Sequence, residues 1–255
     1  MSHYVDLNSD LGESFGNYTL GMDSEVLNHV TSANIACGWH AGDPLIMDAT
    51  VRICKEKGVA VGAHPGYPDL MGFGRRAMAV NPAEAKAYMM YQLGALQAFC
   101  DSYDITLQHM KLHGAFYNTA CVTPVLADAI LDGLQAVNPN ISAMVLSGSY
   151  IAQEAQRRGI PVIQEVFADR GYTEKGTLVP RTEAGAFIKD PQEALDRVLM
   201  MVTKGKVVTN TGKTIDIVAD SVCVHGDNPE AIAFTRYIRE GLTKAGVTVA
   251  NFQHR

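Results

Sequence analysis

The feature that most constrains this chain is a recurring unit: a short β-like run, a polar glycine-containing turn, then a helical pattern. Seven such runs are legible: Tyr4–Asn8, Thr31–Ala36, Val59–Ala63, Leu107–Leu112, Ser142–Leu146, Pro161–Phe167 and Ser221–Val224. The helices between them begin with one device, a capping side chain followed by proline, whose missing N–H is not needed at the first helical position. Asp43-Pro44 opens a helix running to Gly58, and Asn81-Pro82 opens one from Ala83 to about Asp101. Thr123-Pro124, Asp190-Pro191 and Asn228-Pro229 repeat the pattern. Alternating strands and helices predict a parallel sheet covered by helices.

Parity along the strands decides between an open sheet and a closed barrel. Asp6, Asn8 and Asp10 share one side of the first run, with Val5 and Leu7 opposite. His109, Lys111 and His113 oppose Met110 and Leu112, and Ser221, Cys223, His225 and Asp227 oppose Val222 and Val224. Successive side chains alternate across a strand, so these runs have one polar and one apolar face. A doubly wound sheet is apolar on both faces, whereas a barrel can turn its polar set into the lumen. The sixth run fits less well, because Gln164 falls opposite Glu165. The expectation is an α/β fold, an irregular seven-stranded (β/α) TIM-like barrel, with residues 1–255 as one domain. Lys206 to Asp216 departs from the rhythm and reads as a β-hairpin turning at Asn210–Gly212. Its Gly212-Lys213-Thr214 is not a phosphate loop, since the first glycine of that motif would fall on Val207.

Composition excludes several classes. Hydrophobic residues make up 47% and charged residues 19%, so the chain can build a core and is not disordered. It carries 21 Lys and Arg against 27 Asp and Glu, a charge of −6, without the basic surplus of a nucleic-acid binder. Five scattered cysteines with no CxxC pair read as reduced thiols. No apolar run approaches the ~18 residues of a membrane span. Asp6 and Asp10 sit where a signal peptide would be apolar, so a soluble, cytoplasmic protein is expected, with no membrane partner.

Polar residues gather where the strands end, and in (β/α) barrels the loops at that end build the active site. Six of the seven strand ends carry them, and His40, His64, His113 and His225 all fall there. Asp10 is a candidate base, with a turn cap as its bland alternative. Lys111 is harder to dismiss, because an inward lysine is rarely buried unpaired; Asp10, Glu165 or Asp227 are its possible partners. His113 and His225 are candidate proton carriers, while His109 reads as a hydrogen-bonded core residue and Asp43 as a helix cap. Arg75 and Arg76, in a glycine-rich loop, and Arg181, in a loop long enough to be a lid, offer anion binding. Asp10, His40 and His64 would supply a carboxylate and two imidazoles to a divalent metal, although no HExxH spacing supports it.

Several strings together are recognisable. Asp6-Leu-Asn-Ser-Asp-Leu-Gly-Glu13, Ala33-Asn-Ile-Ala-Cys-Gly-Trp-His-Ala-Gly-Asp43 and Gly62-Ala-His-Pro-Gly-Tyr-Pro-Asp69 resemble the LamB/YcsF family. So do Lys111-Leu-His-Gly-Ala-Phe-Tyr-Asn118, Glu165-Val-Phe-Ala-Asp-Arg-Gly-Tyr172 and Val224-His-Gly-Asp-Asn228. The family is described as the A subunit of the bacterial 5-oxoprolinase. The resemblance implies a barrel similar to glycoside hydrolases and polysaccharide deacetylases. It further implies a cytoplasmic enzyme that works with the B and C subunits, opening 5-oxoproline to L-glutamate with hydrolysis of ATP, used with Mg2+. On that reading Lys111 and Arg75 hold phosphate or oxyanion charge, and Asp10, with His40 or His64, positions water or acts as base. His113 or His225 protonates the departing nitrogen, and Arg181 or Asn34 holds the substrate carboxylate. Asn8, Glu165 and Asp227 join the binding set. Two alternatives stay open: a metal-dependent deacetylase or amidohydrolase using Asp10, His40 and His64, and a non-catalytic binding subunit.

Overall fold

All seven predicted runs form strands, and they close on one another. The computed structural model describes residues 3–226 and 228–252. In chain order it begins with β1 (Tyr4–Leu11), α1 (Asp23–Val26), β2 (Ser32–Ala36), α2 (Pro44–Lys57), β3 (Ala60–His64) and α3 (Pro82–Ser102). Then come β4 (Leu107–Met110), α4 (Gly114–Val122), α5 (Pro124–Val137), β5 (Ser142–Leu146), α6 (Tyr150–Arg157) and β6 (Val162–Phe167). The chain continues through α7 (Pro191–Lys204), β7 (Lys206–Val208), β8 (Thr214–Asp216), β9 (Ser221–Cys223), α8 (Pro229–Lys244) and β10 (Thr248–Val249). Strands β1 to β6 pair in order, all parallel; β9 pairs with β6 and returns to β1, closing a seven-stranded barrel. Strand β10 adds to the other side of β1 near its start, and β7–β8 is the predicted hairpin, antiparallel and separate.

The caps act as their chemistry dictates. Asp43 accepts the N–H groups of Leu45 and Ile46, Asn81 forms a reciprocal capping box with Glu84, and Asp190 and Asn228 cap α7 and α8. Gly58 ends α2 in the left-handed conformation (φ 67°), which glycine adopts without steric cost. Thr123 is the exception: it makes no side-chain cap because it stands at once at the end of α4 and the start of α5. No single described helix is long and apolar enough to cross a membrane. All five thiols are free and buried.

The parity holds. Val5, Leu7, Ile35, Val61, Met110 and Val222 form the apolar outer faces, all buried in the core shared with the helices. The polar set fills the lumen in layers. Lowest, Asp6 accepts from the hydroxyls of Thr31 and Ser32 at 2.6 Å each and from that of Ser221. Above it, Asn34 donates to Asn8 Oδ1 at 2.8 Å, Asn8 donates to Ser221 Oγ at 2.8 Å, and His109 Nε2–H donates to Asn34 Oδ1 at 2.7 Å. His109 fits only because β3 carries glycine beside it: a Cβ on Gly62 would lie 2.1 Å from the imidazole Nε2. The misfit at β6 also resolves. Glu165 points into the lumen, whereas Gln164 faces outward and accepts from Gly148 N–H at 3.0 Å and Ser147 Oγ at 3.3 Å, tying down the loop after β5.

Candidate active site

The uppermost lumen layer is ionic. Lys111 Nζ lies 2.9 Å from Asp10 Oδ1 and 2.8 Å from Glu165 Oε1, with Asn8 Oδ1 and Cys223 Sγ each at 3.1 Å. Burial by itself would push the Lys111 ammonium toward neutrality; Asp10, Cys223 and Glu165 outweigh it and hold its pKa well above the ordinary lysine value. Burial likewise opposes charge on Asp10, but His64 and Lys111 prevail and hold its carboxyl well below the usual range. Tyr117, in the first turns of α4, donates to Glu165 Oε2 at 2.8 Å and fixes that carboxylate. Of the partners the sequence offered for Lys111, Asp10 and Glu165 are taken; Asp227 lies outside the described residues.

A cavity of about 400 Å³ opens over this layer, within the range of small-molecule sites. It gathers residues from most of the strand ends. Asp10, His64, Lys111, His113, Arg75, Arg181 and His225 all line it, as their positions predicted. Four cations (Arg75, Lys111, Arg170 and Arg181) face two carboxylates (Asp10 and Glu13) across it. The chain is acidic overall, so positive charge has been concentrated where a ligand enters, an arrangement that attracts anions. Arg75 extends over the Phe73 ring at 4.9 Å and Arg181 over Phe187 at 5.3 Å.

Other expected contacts fall elsewhere. Asn8 and Asn34 lie below the cavity and commit their amides to each other, Asp10, Lys111, Ser221 and His109; the structure makes them positioning residues for the ionic layer. Glu165 is fully buried beneath Lys111 and does not line the cavity. His40 is also fully buried, stacked face to face on His113 (centroids 3.7 Å apart, 2° between planes), and does not line it either. His113 directs Nε2 at the Phe73 carbonyl (2.8 Å) and Nδ1 at His64 Nε2 (2.9 Å), so both its nitrogens are engaged with protein. His225, by contrast, sits on the rim with Nδ1 3.0 Å from Asp169 Oδ2. Burial opposes charge on Asp169, and the neighbouring His225 overcomes this, lowering the carboxyl pKa. Arg76 is held by Asp69 instead of facing the cavity. The long loop after β6 is pinned: Arg170 donates to the carbonyls of Ala186 (3.0 Å) and Val179 (2.6 Å), and Tyr172 is fully buried.

Parity does not single out Glu13, although it stands in the first recognised string. Strand β1 ends at Leu11, and Gly12 (φ 69°) turns the chain so that Glu13 returns to the mouth, where alternation no longer applies. Its Oε1 lies 3.3 Å from His40 Nε2 and 3.7 Å from His113 Nδ1. Glu13, His40, His64 and His113 thus each offer a ligand atom within 4.8 Å of the others, a group with metal-binding chemistry. The expected set of Asp10, His40 and His64 is redrawn accordingly: Asp10 Oδ2 touches His64 Nε2 at 3.3 Å, but its other oxygen is committed to Lys111. Burial, followed by its neighbouring imidazoles, pushes His40 well below the ordinary histidine pKa, and burial followed by His64 brings His113 to about 3. Phe73 completes this corner. It holds an uncommon left-handed conformation (φ 53°), with its carbonyl on His113 and its ring edge-on to both stacked histidines.

Fold and site together define a (β/α) barrel whose lumen is polar and whose mouth carries a cationic cavity over a buried ion-pair layer. The LamB/YcsF family model matches residues 5–255, and the chain belongs to that family. The 5-oxoprolinase A subunit of Fusobacterium nucleatum subsp. nucleatum is 61% identical over 249 residues, covering 98% of this chain and 97% of that one. The 5-oxoprolinase A subunit of Pyrococcus horikoshii is 52% identical over 245 residues, 96% of each chain. Among solved structures, the lactam utilization protein from Thermus thermophilus superposes with a TM-score of 0.92 at 45% identity, covering 98% of this chain and 100% of that one.

Proposed function

We propose that this chain is the A subunit of an ATP-dependent 5-oxoprolinase, opening the lactam of 5-oxoproline to L-glutamate while ATP becomes ADP and phosphate. It would act in the cytoplasm with the partner subunits B and C, and ATP would be used as its Mg2+ complex. Relatives of the same length that carry the 5-oxoprolinase name support the reading. The observation that carries it is the cavity itself: four cations against two carboxylates suit a small ligand bearing carboxylate and phosphate.

A five-membered lactam is a stable amide, and transfer of the ATP γ-phosphoryl group to its oxygen makes the ring carbon electrophilic. Asp10, ionised and facing the cavity, takes the proton of the water that adds to this carbon. Lys111, whose charge its neighbours maintain, stabilises the developing oxyanion from the floor. The C–N bond breaks as His225, oriented by Asp169, delivers a proton to the ring nitrogen. One water opens the ring and a second releases the phosphate. Arg75 and Arg181 hold the phosphate and the substrate carboxylate. His113 is not the proton donor in this scheme, because both its ring nitrogens face protein groups.

The test is reconstitution. Glutamate and ADP should form from 5-oxoproline and ATP when this chain is combined with the B and C subunits. Glutamate appearing at the same rate with this chain omitted would defeat the assignment.

A further inference from the structure

We propose that the Glu13–His64–His113 corner of the cavity binds one divalent transition-metal ion of the zinc class, with His40 as the residue that orients Glu13. Backbone carbonyls fix one N–H on each of two imidazoles. His64 Nδ1 lies 2.8 Å from the Lys111 carbonyl and His113 Nε2 lies 2.8 Å from the Phe73 carbonyl. A carbonyl only accepts, so each of those nitrogens carries its hydrogen. The remaining nitrogens, His64 Nε2 and His113 Nδ1, face each other at 2.9 Å, with Asp10 Oδ2 3.3 Å from the first and Glu13 Oε1 3.7 Å from the second. Two inward nitrogens flanked by carboxylates require a cation between them, a shared proton or a metal ion, and a metal ion replaces that proton by taking both lone pairs in coordination.

The surroundings match a metal site in three further respects. Imidazoles that ligate metals usually donate their other N–H to a backbone carbonyl or carboxylate, and His64 and His113 both do so. Metal–nitrogen bonds of about 2.0–2.1 Å place tetrahedral ligand atoms roughly 3.3 Å apart. The edges here are 2.9 Å between the imidazoles and 3.7 Å from His113 Nδ1 to Glu13 Oε1. Carboxylate with imidazole is also a donor set suited to zinc and its neighbours, and magnesium prefers oxygen ligands.

His40 has a different place. Among the described residues its Nδ1 has no hydrogen-bond partner, so there it lacks the outward N–H contact that His64 and His113 possess. Its Nε2 meets Glu13, its ring stacks on His113, and it does not line the cavity. Glu13, His64 and His113 all line it, which leaves the fourth coordination position open to a ligand. Such an ion supplies Lewis acidity beside the carboxylate of Asp10. The site rests on the imidazole geometry and is independent of which amide the cavity opens.

Calorimetric titration of the chelator-stripped full chain with ZnCl2, and separately with MgCl2, tests the proposal. One zinc should bind per chain and magnesium should not compete. Glu13→Gln and His113→Gln, each confirmed as folded by circular dichroism, should weaken zinc binding by more than about 100-fold. His40→Ala should weaken it by about 10–100-fold, as loss of an orienting group does. Absence of saturable zinc uptake would overturn the proposal and assign the bridge between the two imidazoles to a proton. Uptake unchanged in His113→Gln would overturn it equally. Zinc uptake without glutamate formation would count against the proposed function alone, and glutamate formation without zinc uptake against the metal alone.

Discussion

The lower lumen and the cavity mouth are built by the same strands and are both polar, yet they treat buried polar groups differently. In the lower layers the polar groups meet one another: Asp6 takes three hydroxyls, and Asn8, Asn34 and His109 bond in a chain. At the mouth, two imidazoles turn their second nitrogens toward each other between carboxylates, and Phe73 holds a left-handed backbone. Three arginines crowd there as well, and burial followed by mutual repulsion lowers the pKa values of Arg170 and Arg181. A satisfied polar layer stabilises one structure, and an unsatisfied one is completed by a ligand. The lower half is therefore scaffold and the upper half is site.

Substitutions can break this contrast, and the largest effect is expected at its boundary. Asp10→Asn removes the proposed base, so glutamate formation should fall by about 10²–10⁴-fold, with the melting temperature changed far less than the rate. Lys111→Met leaves Asp10 and Glu165 buried without their cation. Urea unfolding should then show a loss of about 3–5 kcal/mol, and a loss under about 1 kcal/mol would mean that the layer relaxes to admit water. Asn34→Leu orphans donors and acceptors in the scaffold and should cost about 1–3 kcal/mol. Because Asn34 lies below the cavity and reaches the reaction through Asp10, kcat should drop more than KM rises.

The last effect is a pH slope, in which no single condition shows the whole change. Burial, followed by Lys111, lowers the His109 pKa to about 3, against about 6.5 when unfolded. Below about pH 6.5 the unfolded chain therefore binds the extra proton, and stability falls as pH drops from there toward 3. In His109→Gln this stretch of the stability curve should be shallower; an unchanged slope would show that His109 is charged in the fold.

Much of this is legible from period-two alternation, because a closed barrel turns parity directly into inside and outside. Asp10 and Lys111 are placed on that basis, as is His109 in the core, whereas Glu165 is found only by its position at a strand end. Alternation says nothing once a strand ends. Glu13 escapes it because Gly12 reverses the chain after Leu11, and Tyr117 because it lies in α4, a helix with no proline signal of its own. Substrate contact by Asn8 and Asn34 is expected from the resemblance and their place at the strand ends, neither of which shows the depth at which an inward side chain lies. Depth also separates His40, packed behind His113, from His225 on the rim.

The most direct measurement is glutamate production from 5-oxoproline and ATP by the reconstituted complex, comparing Asp10→Asn with Asn34→Leu at equal folded concentration. The rate should collapse in Asp10→Asn, which keeps its fold, and persist at a reduced level in the less stable Asn34→Leu. Near-normal turnover in Asp10→Asn would contradict the division of the lumen into scaffold below and site above.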